Sequence, residues 1–151
     1  MGIINIVKNV KEIHNKYIII VKIGSFYYCY GRDSYIISYL LKYKINILSN
    51  NIYSCSFPQS ALNKVLATLE RNKINYLILD RRNNYDIEEK SDNRNLNKYD
   101  SIYEEAKKEL STKMRIEKIY SYLIENSNNK ELINEIEKVI NERRKIYFVS
   151  F

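Results

Sequence analysis

Few residues in this sequence are equipped for covalent or metal chemistry. There is one histidine, His14, and two cysteines, Cys29 and Cys55. Neither cysteine lies in a CxxC pair and His14 has no partner at zinc-ligand spacing, so no metal site is expected. The carboxylates of the first 82 residues are Glu12, Asp33, Glu70 and Asp80. Scattered in this way they supply a metal-dependent phosphodiesterase poorly, which counts against a small nuclease or RNA-processing enzyme. Asp33 or Ser34 is expected to cap a helix, and the cysteines to pack as small hydrophobes. No catalytic residue and no cofactor is therefore assigned. What remains is binding chemistry: a ring that can stack, Phe26, with the cations Lys22, Arg32, Arg81 and Arg82 near it for phosphate. Each has a plainer alternative, Phe26 as a core aromatic and the cations as solvated surface.

The elements that must position these residues centre on Tyr17–Asp33, YIIIVKIGSFYYCYGRD. Tyr17 to Ile23 is a continuous, β-branched apolar run, too short to cross a membrane, and reads as a strand buried on both faces. Gly24 and Ser25 break it, Phe26 to Tyr30 returns, and Gly31 closes a tight β-hairpin. Before the hairpin, Ile3, Ile6, Val7, Val10 and Ile13 or His14 fall at helical spacing. After it, Tyr35, Ile36, Tyr39, Leu40 and Tyr43 predict a second helix. Two short strands, Ile45–Leu48 and Tyr53–Phe57, flank a polar turn at residues 49–51. Pro58 opens a helix striped by Ala61, Leu62, Val65, Leu66 and Leu69. Tyr76 to Leu79 is a last buried strand, ending in an exposed run Asp80, Arg81, Arg82. The order α-β-β-α-β-β-α-β predicts an α/β domain, a mixed sheet flanked by helices, over residues 1–82.

Residues 83–98 are polar and read as a linker. Residues 99–151 then carry two amphipathic stripes, one from Tyr99 to Leu123 with a break near Ser111 and Thr112, the other from Leu132 to Ile140. They predict a C-terminal helical hairpin that buries its stripe against the first domain, a second copy or a protein partner. The apolar end, KIYFVSF, is expected to form an edge strand or to dock on another chain.

The net charge of +7 is a weak signal, because Lys, Ile, Asn and Tyr dominate and an AT-rich genome favours all four. Its distribution says more. Residues 1–82 hold 12 Lys and Arg against 4 Asp and Glu, net +8, whereas residues 83–151 hold 13 against 14, net −1. The basic half is the one expected to face a polyanion. No signal peptide or membrane segment is apparent, so a cytoplasmic protein with no membrane partner is expected.

From about Lys8 to Arg82 the sequence resembles the N-terminal, mismatch-recognition domain of the MutS DNA mismatch-repair proteins. The resemblance rests on Ile23-Gly24-Ser25-Phe26-Tyr27-Tyr28 at a GDFYE-type hairpin. It continues in Ser56-Phe57-Pro58-Gln59-Ser60-Ala61 at a G-I-P-Y-H-A segment opening a helix, and in Tyr76-Leu77-Ile78-Leu79-Asp80 at a strand. It implies a MutS domain I-like fold in a small protein lacking the ATPase. No GxxxxGK[ST] loop is present, the glycines being Gly2, Gly24 and Gly31 alone.

In that family the Phe wedges beside a mismatched base from the minor groove and a Glu two residues on hydrogen-bonds it. Phe26 matches the wedge, Tyr28 stands at the Glu position, Ser25 at the preceding Asp and Gln59 at the Tyr after the Pro. A DNA-binding surface of Phe26, Tyr28, Lys22, Ser25, Arg32 and Gln59 follows, with double-stranded, mismatched or distorted DNA as partner. The other possibility left open is a non-catalytic interaction or regulatory module that keeps the fold without reading mismatches.

Overall fold

A computed structural model describes residues 2–48 and 51–149, with side chains through residue 144. The chain divides into one compact unit ending at Leu110 and a second beginning at Ser111.

In the first unit the elements follow the predicted order. Helix α1 (Ile3–Ile13) leads into β1 (Tyr17–Ile23) and β2 (Phe26–Tyr30), then α2 (Arg32–Leu41), β3 (Ile45–Ile47) and β4 (Tyr53–Pro58). A 3-10 turn at Gln59–Ala61 precedes α3 (Leu62–Arg71), which is followed by β5 (Asn75–Asp80), a second 3-10 turn (Arg81–Asn83) and β6 (Asp86–Lys90). The strands form one sheet in the order β3-β4-β2-β1-β5-β6, with β1 and β5 parallel and the other neighbours antiparallel.

β1 is buried on both faces because each face has its own cover. Ile18 and Ile20 share one face with Tyr27, Cys29 and Phe57, packed under Ile36, Ile37, Val65, Leu66 and Tyr99. Ile19 and Val21 join Leu77 and Leu79 on the other, under Val7 of α1. All four of these β1 side chains are fully buried, as expected of a continuous apolar strand beside a parallel neighbour.

Several sequence expectations are corrected. The α2 stripe is rotated: Asp33, Ser34, Ile36, Ile37 and Ser38 are its buried residues, while Tyr35 and Tyr39 are only half-buried. Small hydroxyls and a paired carboxylate can face a core, and a hydrophobicity pattern does not reveal them. On α1, Ile13 is 78% exposed, and the half-buried His14 meets the Tyr17 ring edge-on instead. Pro58 closes β4, and the helix proper starts at Leu62. Asp80 is buried inside β5, its Oδ1 accepting from the Arg82 backbone N–H at 2.8 Å, so only Arg81 and Arg82 of that run are exposed.

The stretch 83–98 contains a strand where a linker was expected. β6 lies along β5 as an edge, its side chains all exposed. Beyond it, the buried Asn75 holds the chain by donating to the carbonyls of Asn93 (3.0 Å) and Leu96 (3.2 Å) and accepting from the Ser91 hydroxyl at 2.9 Å. The Lys98 N–H donates to the Lys73 carbonyl at 2.9 Å. Polar composition here reflects an edge strand and a hydrogen-bonded return rather than a free tether.

α4 (Tyr99–Glu125) runs through Ser111 and Thr112 without a break. Its first turns belong to the first unit, Tyr99 and Ala106 being buried. In the second unit, residues 126–129 turn the chain into α5 (Lys130–Val149), where the Asn129 side chain accepts from the Leu132 N–H at 3.1 Å as a cap. The C-terminal stretch continues this helix to Val149 and adds no edge strand there, and the last two residues of KIYFVSF lie outside the described residues, as do Ser49 and Asn50 of the expected polar turn.

Candidate nucleic-acid interface

The β1–β2 turn is built by backbone geometry. Gly24 has φ +64° while Ser25 does not enter the positive region. A positive φ at the first turn position alone is the type II′ pattern, whose twist matches the paired strands it joins. Ile23 and Phe26 are register partners beneath the turn, and Phe26 is also paired with Pro58 of β4. The Gln59 N–H donates to the Ser25 carbonyl at 2.9 Å, which fastens the turn to the segment after β4. Ser25, Phe26, Pro58 and Gln59 thus meet at one end of the sheet, all exposed.

Alternation along β2 decides which ring faces outward. Tyr27 and Cys29 are buried, at 5% and 0% exposure, whereas Phe26 is 43% exposed. Phe26, Tyr28 and Tyr30 share the opposite face, with Tyr28 and Tyr30 stacked at 6.4 Å between ring centres. Tyr28 is half-buried and paired with Ser56. Burial, ahead of the neighbouring Tyr28, pushes the Tyr30 hydroxyl up to about 12.

Lys22 lies at the same end of the sheet but on the other face, in register with Tyr27 and Asp80. It is half-buried at the next-to-last position of β1, and among the described residues it forms no ion pair. Arg81 and Arg82 follow Asp80 at that end. The β6 edge is acidic, with Asp86, Glu88 and Glu89 against Lys90. That charge disfavours a polyanion along the β6 edge.

Arg32 does not join this surface. It sits past the far end of β2, on the order of 15 Å along the strand from the turn. Its guanidinium lies over the rings of Tyr103 at 5.1 Å and Tyr99 at 5.6 Å. It packs α2 against α4.

Asp33, expected as a cap, is instead the polar centre of the core. The residue preceding α2 is Gly31, which makes no side-chain cap bond. The Asp33 carboxylate accepts from the Lys11 ammonium at 2.6 Å, the Ile19 N–H at 2.9 Å and the Tyr99 hydroxyl. Lys11 also donates to the Tyr17 carbonyl and, at 3.0 Å, to the Tyr99 oxygen. Burial lowers the Lys11 pKa, opposed by Asp33, and raises that of Tyr99, reinforced by Asp33. With three donors engaged, the carboxylate is held as a structural tie. Sequence reasoning missed Lys11 and Tyr99 as its partners, since no local pattern links residues 22 and 66 positions away from Asp33.

Cys29 and Cys55 are register partners on adjacent strands, both free and fully buried. Burial raises both thiols, Cys55 to about 12, which suits packing and not nucleophilic attack. Among the described residues, no group of three or more His, Cys, Asp or Glu side chains could hold a metal ion, and no helix is long and apolar enough to cross a membrane.

A family model for MutS domain I matches residues 1–121 of this chain. The chain belongs to the MutS domain I family. The match spans the whole sheet and ends within α4, so α5 lies beyond the domain I match. No curated protein matches the chain in a sequence search. The β1–β2 hairpin carries Phe26 on its exposed end, with Tyr28 two residues on and on the same face. Tyr28 offers a hydroxyl that can donate and accept, and no carboxylate.

Proposed function

We propose that this MutS domain I protein is a DNA-binding module that acts in the cytoplasm on mismatched or distorted duplexes, with Phe26 as a minor-groove wedge. The exposure of Phe26 at the tip of a type II′ hairpin carries the reading. A ring held there enters a base step that is already weakly stacked, and the resulting kink lets nearby protein groups reach phosphate. Ser25 and Gln59 border the ring, Tyr28 offers its hydroxyl to the displaced base, and Lys22, Arg81 and Arg82 supply phosphate contacts. The module works by binding and not by catalysis: the Asp33 carboxylate is engaged by three donors, and burial keeps the two thiols protonated.

Replacement of the base-bonding Glu by Tyr28 favours one second reading, a protein-interaction module that keeps the fold without selecting mismatches. The two separate in a titration of the labelled protein with a mismatched duplex, followed by amide NMR shifts. DNA binding at this site predicts the largest shifts at Ser25, Phe26 and Gln59 and small ones along β6. Absence of shifts at low salt supports the interaction module.

A further inference from the structure

The second unit carries apolar surface that its own helices leave open. On α4, Ile116, Ile119, Tyr120 and Ile124 are 57–61% exposed, and on α5 Val139 and Ile140 are 56% and 51% exposed. Among the described residues of this unit, Met114 is buried, and Leu123, Leu132, Ile133 and Ile136, close to the 126–129 turn, are half-buried. At 3.6 residues per turn, the α4 apolar positions from Ile116 to Ile124, Tyr122 included, spread over about 200° of the helix. One neighbouring helix covers a stripe of about 100°. The face is wider than α5 alone can cover.

Charge identifies the occupant. In α5, residues 130–137 hold Lys130 against Glu131, Glu135 and Glu137, net −2, while residues 138–144 hold Lys138, Arg143 and Arg144 against Glu142, net +2. Two copies of such a helix attract when antiparallel and repel when parallel. α4 has the reverse polarity in this unit: residues 111–118 hold Lys113, Arg115 and Lys118 against Glu117, net +2, and residues 119–125 hold Glu125 alone, net −1. Both helices are thus self-complementary under a two-fold axis, the arrangement of an isologous dimer. Covering the six exposed side chains on both copies buries on the order of 1,000 Å², and the flanking charged residues bring this into the range of a specific interface, about 1,200–2,000 Å².

We propose that residues 111–144 form an antiparallel homodimer interface, in which a second copy of this chain covers the open faces of α4 and α5. The interface does not depend on the DNA-binding reading. It gives each assembly two copies of the Phe26 turn, which raises apparent affinity for a duplex that both can reach.

The test is sedimentation velocity on the full chain over a range of concentrations. The wild type is expected at twice the chain mass of 18.1 kDa. Ile119→Asp shifts it to monomer with its helical circular dichroism retained. Two charge variants, Glu131→Lys/Glu135→Lys and Arg143→Glu/Arg144→Glu, are each shifted toward monomer, and mixing them restores the dimer, because each then presents the charge the other needs. A wild-type monomer at every concentration, or a mixture that stays monomeric, overturns the proposal. So does a dimer that Ile119→Asp leaves intact.

Discussion

Tyr99, the first residue of α4, donates its hydroxyl to the buried carboxylate of Asp33, 66 residues earlier in the chain. Lys11 of α1 and the backbone of Ile19 in β1 donate to the same carboxylate, so α1, β1, α2 and α4 converge on one group. The beginning of α4 is therefore part of the α/β unit. Tyr99→Phe removes a charge-assisted hydrogen bond and is expected to lower stability by about 1.5–3 kcal/mol. Asp33→Asn leaves the Lys11 ammonium without its carboxylate and costs more, about 3–5 kcal/mol. Urea unfolding curves of the two variants check the order. Equal stability of Tyr99→Phe and wild type would show that the contact contributes nothing.

The same dependence is visible in truncations. A chain ending at Leu110 retains Tyr99, Ala106 and the Arg32 stacking partners, and is expected to unfold cooperatively near the wild-type midpoint. A chain ending at Lys98 loses all of them and uncovers the α2 side of the core, and its midpoint falls. Circular dichroism melts distinguish the two, and equal melts would contradict the placement of α4 in the first unit.

Stability is expected to decline in alkali. Burial raises the folded-state pKa of Cys29, Cys55, Tyr30 and Tyr99 above ordinary values of 9 for the thiols and 10 for the phenols. A group with a raised folded pKa holds its proton in the native state while the unfolded chain releases it. Its stabilisation is complete below the unfolded pKa and is lost as pH rises toward the folded one, so the loss begins near pH 9. Lys11 acts in the opposite sense, because its folded pKa is lowered and the penalty for its charge is relieved as pH approaches its ordinary 10.5. Tyr17, Tyr27, Tyr35, Tyr39 and Tyr76 are also raised, so nine groups oppose Lys11 and the net effect is a fall. Urea midpoints measured from pH 8 to pH 11 should decrease steadily, and a flat or rising profile would refute the assignment.

Gly24 is needed for its backbone and not for space. A Cβ at this position meets nothing within 4 Å, but φ is +64°. Gly24→Ala is expected to cost about 1–2 kcal/mol through the positive φ alone. If Phe26 works from a rigid turn, DNA affinity falls in the same variant even where it remains folded. Calorimetry and a binding titration on one preparation separate the two effects.

Much of the fold is legible in the sequence because its strands are short, apolar and bounded by clear breaks. β1 announces itself as a run without alternation, and the Gly24-Ser25 turn fixes its partner. Phe26 could be placed at the hairpin but not inside or outside the core, since β2 is aromatic at four of five positions and hydrophobicity does not mark its outward face. Alternation with the buried Tyr27 and Cys29 decides that, and which face of β2 is covered is a tertiary property. β6 was hidden for the opposite reason: an exposed edge strand needs no apolar residue. Asp33 reads as a cap, and nothing in the sequence marks Asn75 as buried, because the partners that bury them, Lys11, Tyr99, Ser91 and the carbonyl of Asn93, come from distant or polar segments.

The most direct test of DNA reading is fluorescence anisotropy with matched duplex, single-mismatch duplex and single-stranded DNA, for wild type and Phe26→Ala. The residue is 43% exposed, so its truncation is expected to cost no more than about 1 kcal/mol of stability. The wild type should bind the mismatched duplex most tightly, with affinity that falls as salt rises, and Phe26→Ala should lose that preference while remaining folded. Equal binding to all three nucleic acids, unchanged by the substitution, would contradict the wedge, and no binding at low salt would contradict the DNA-binding module itself.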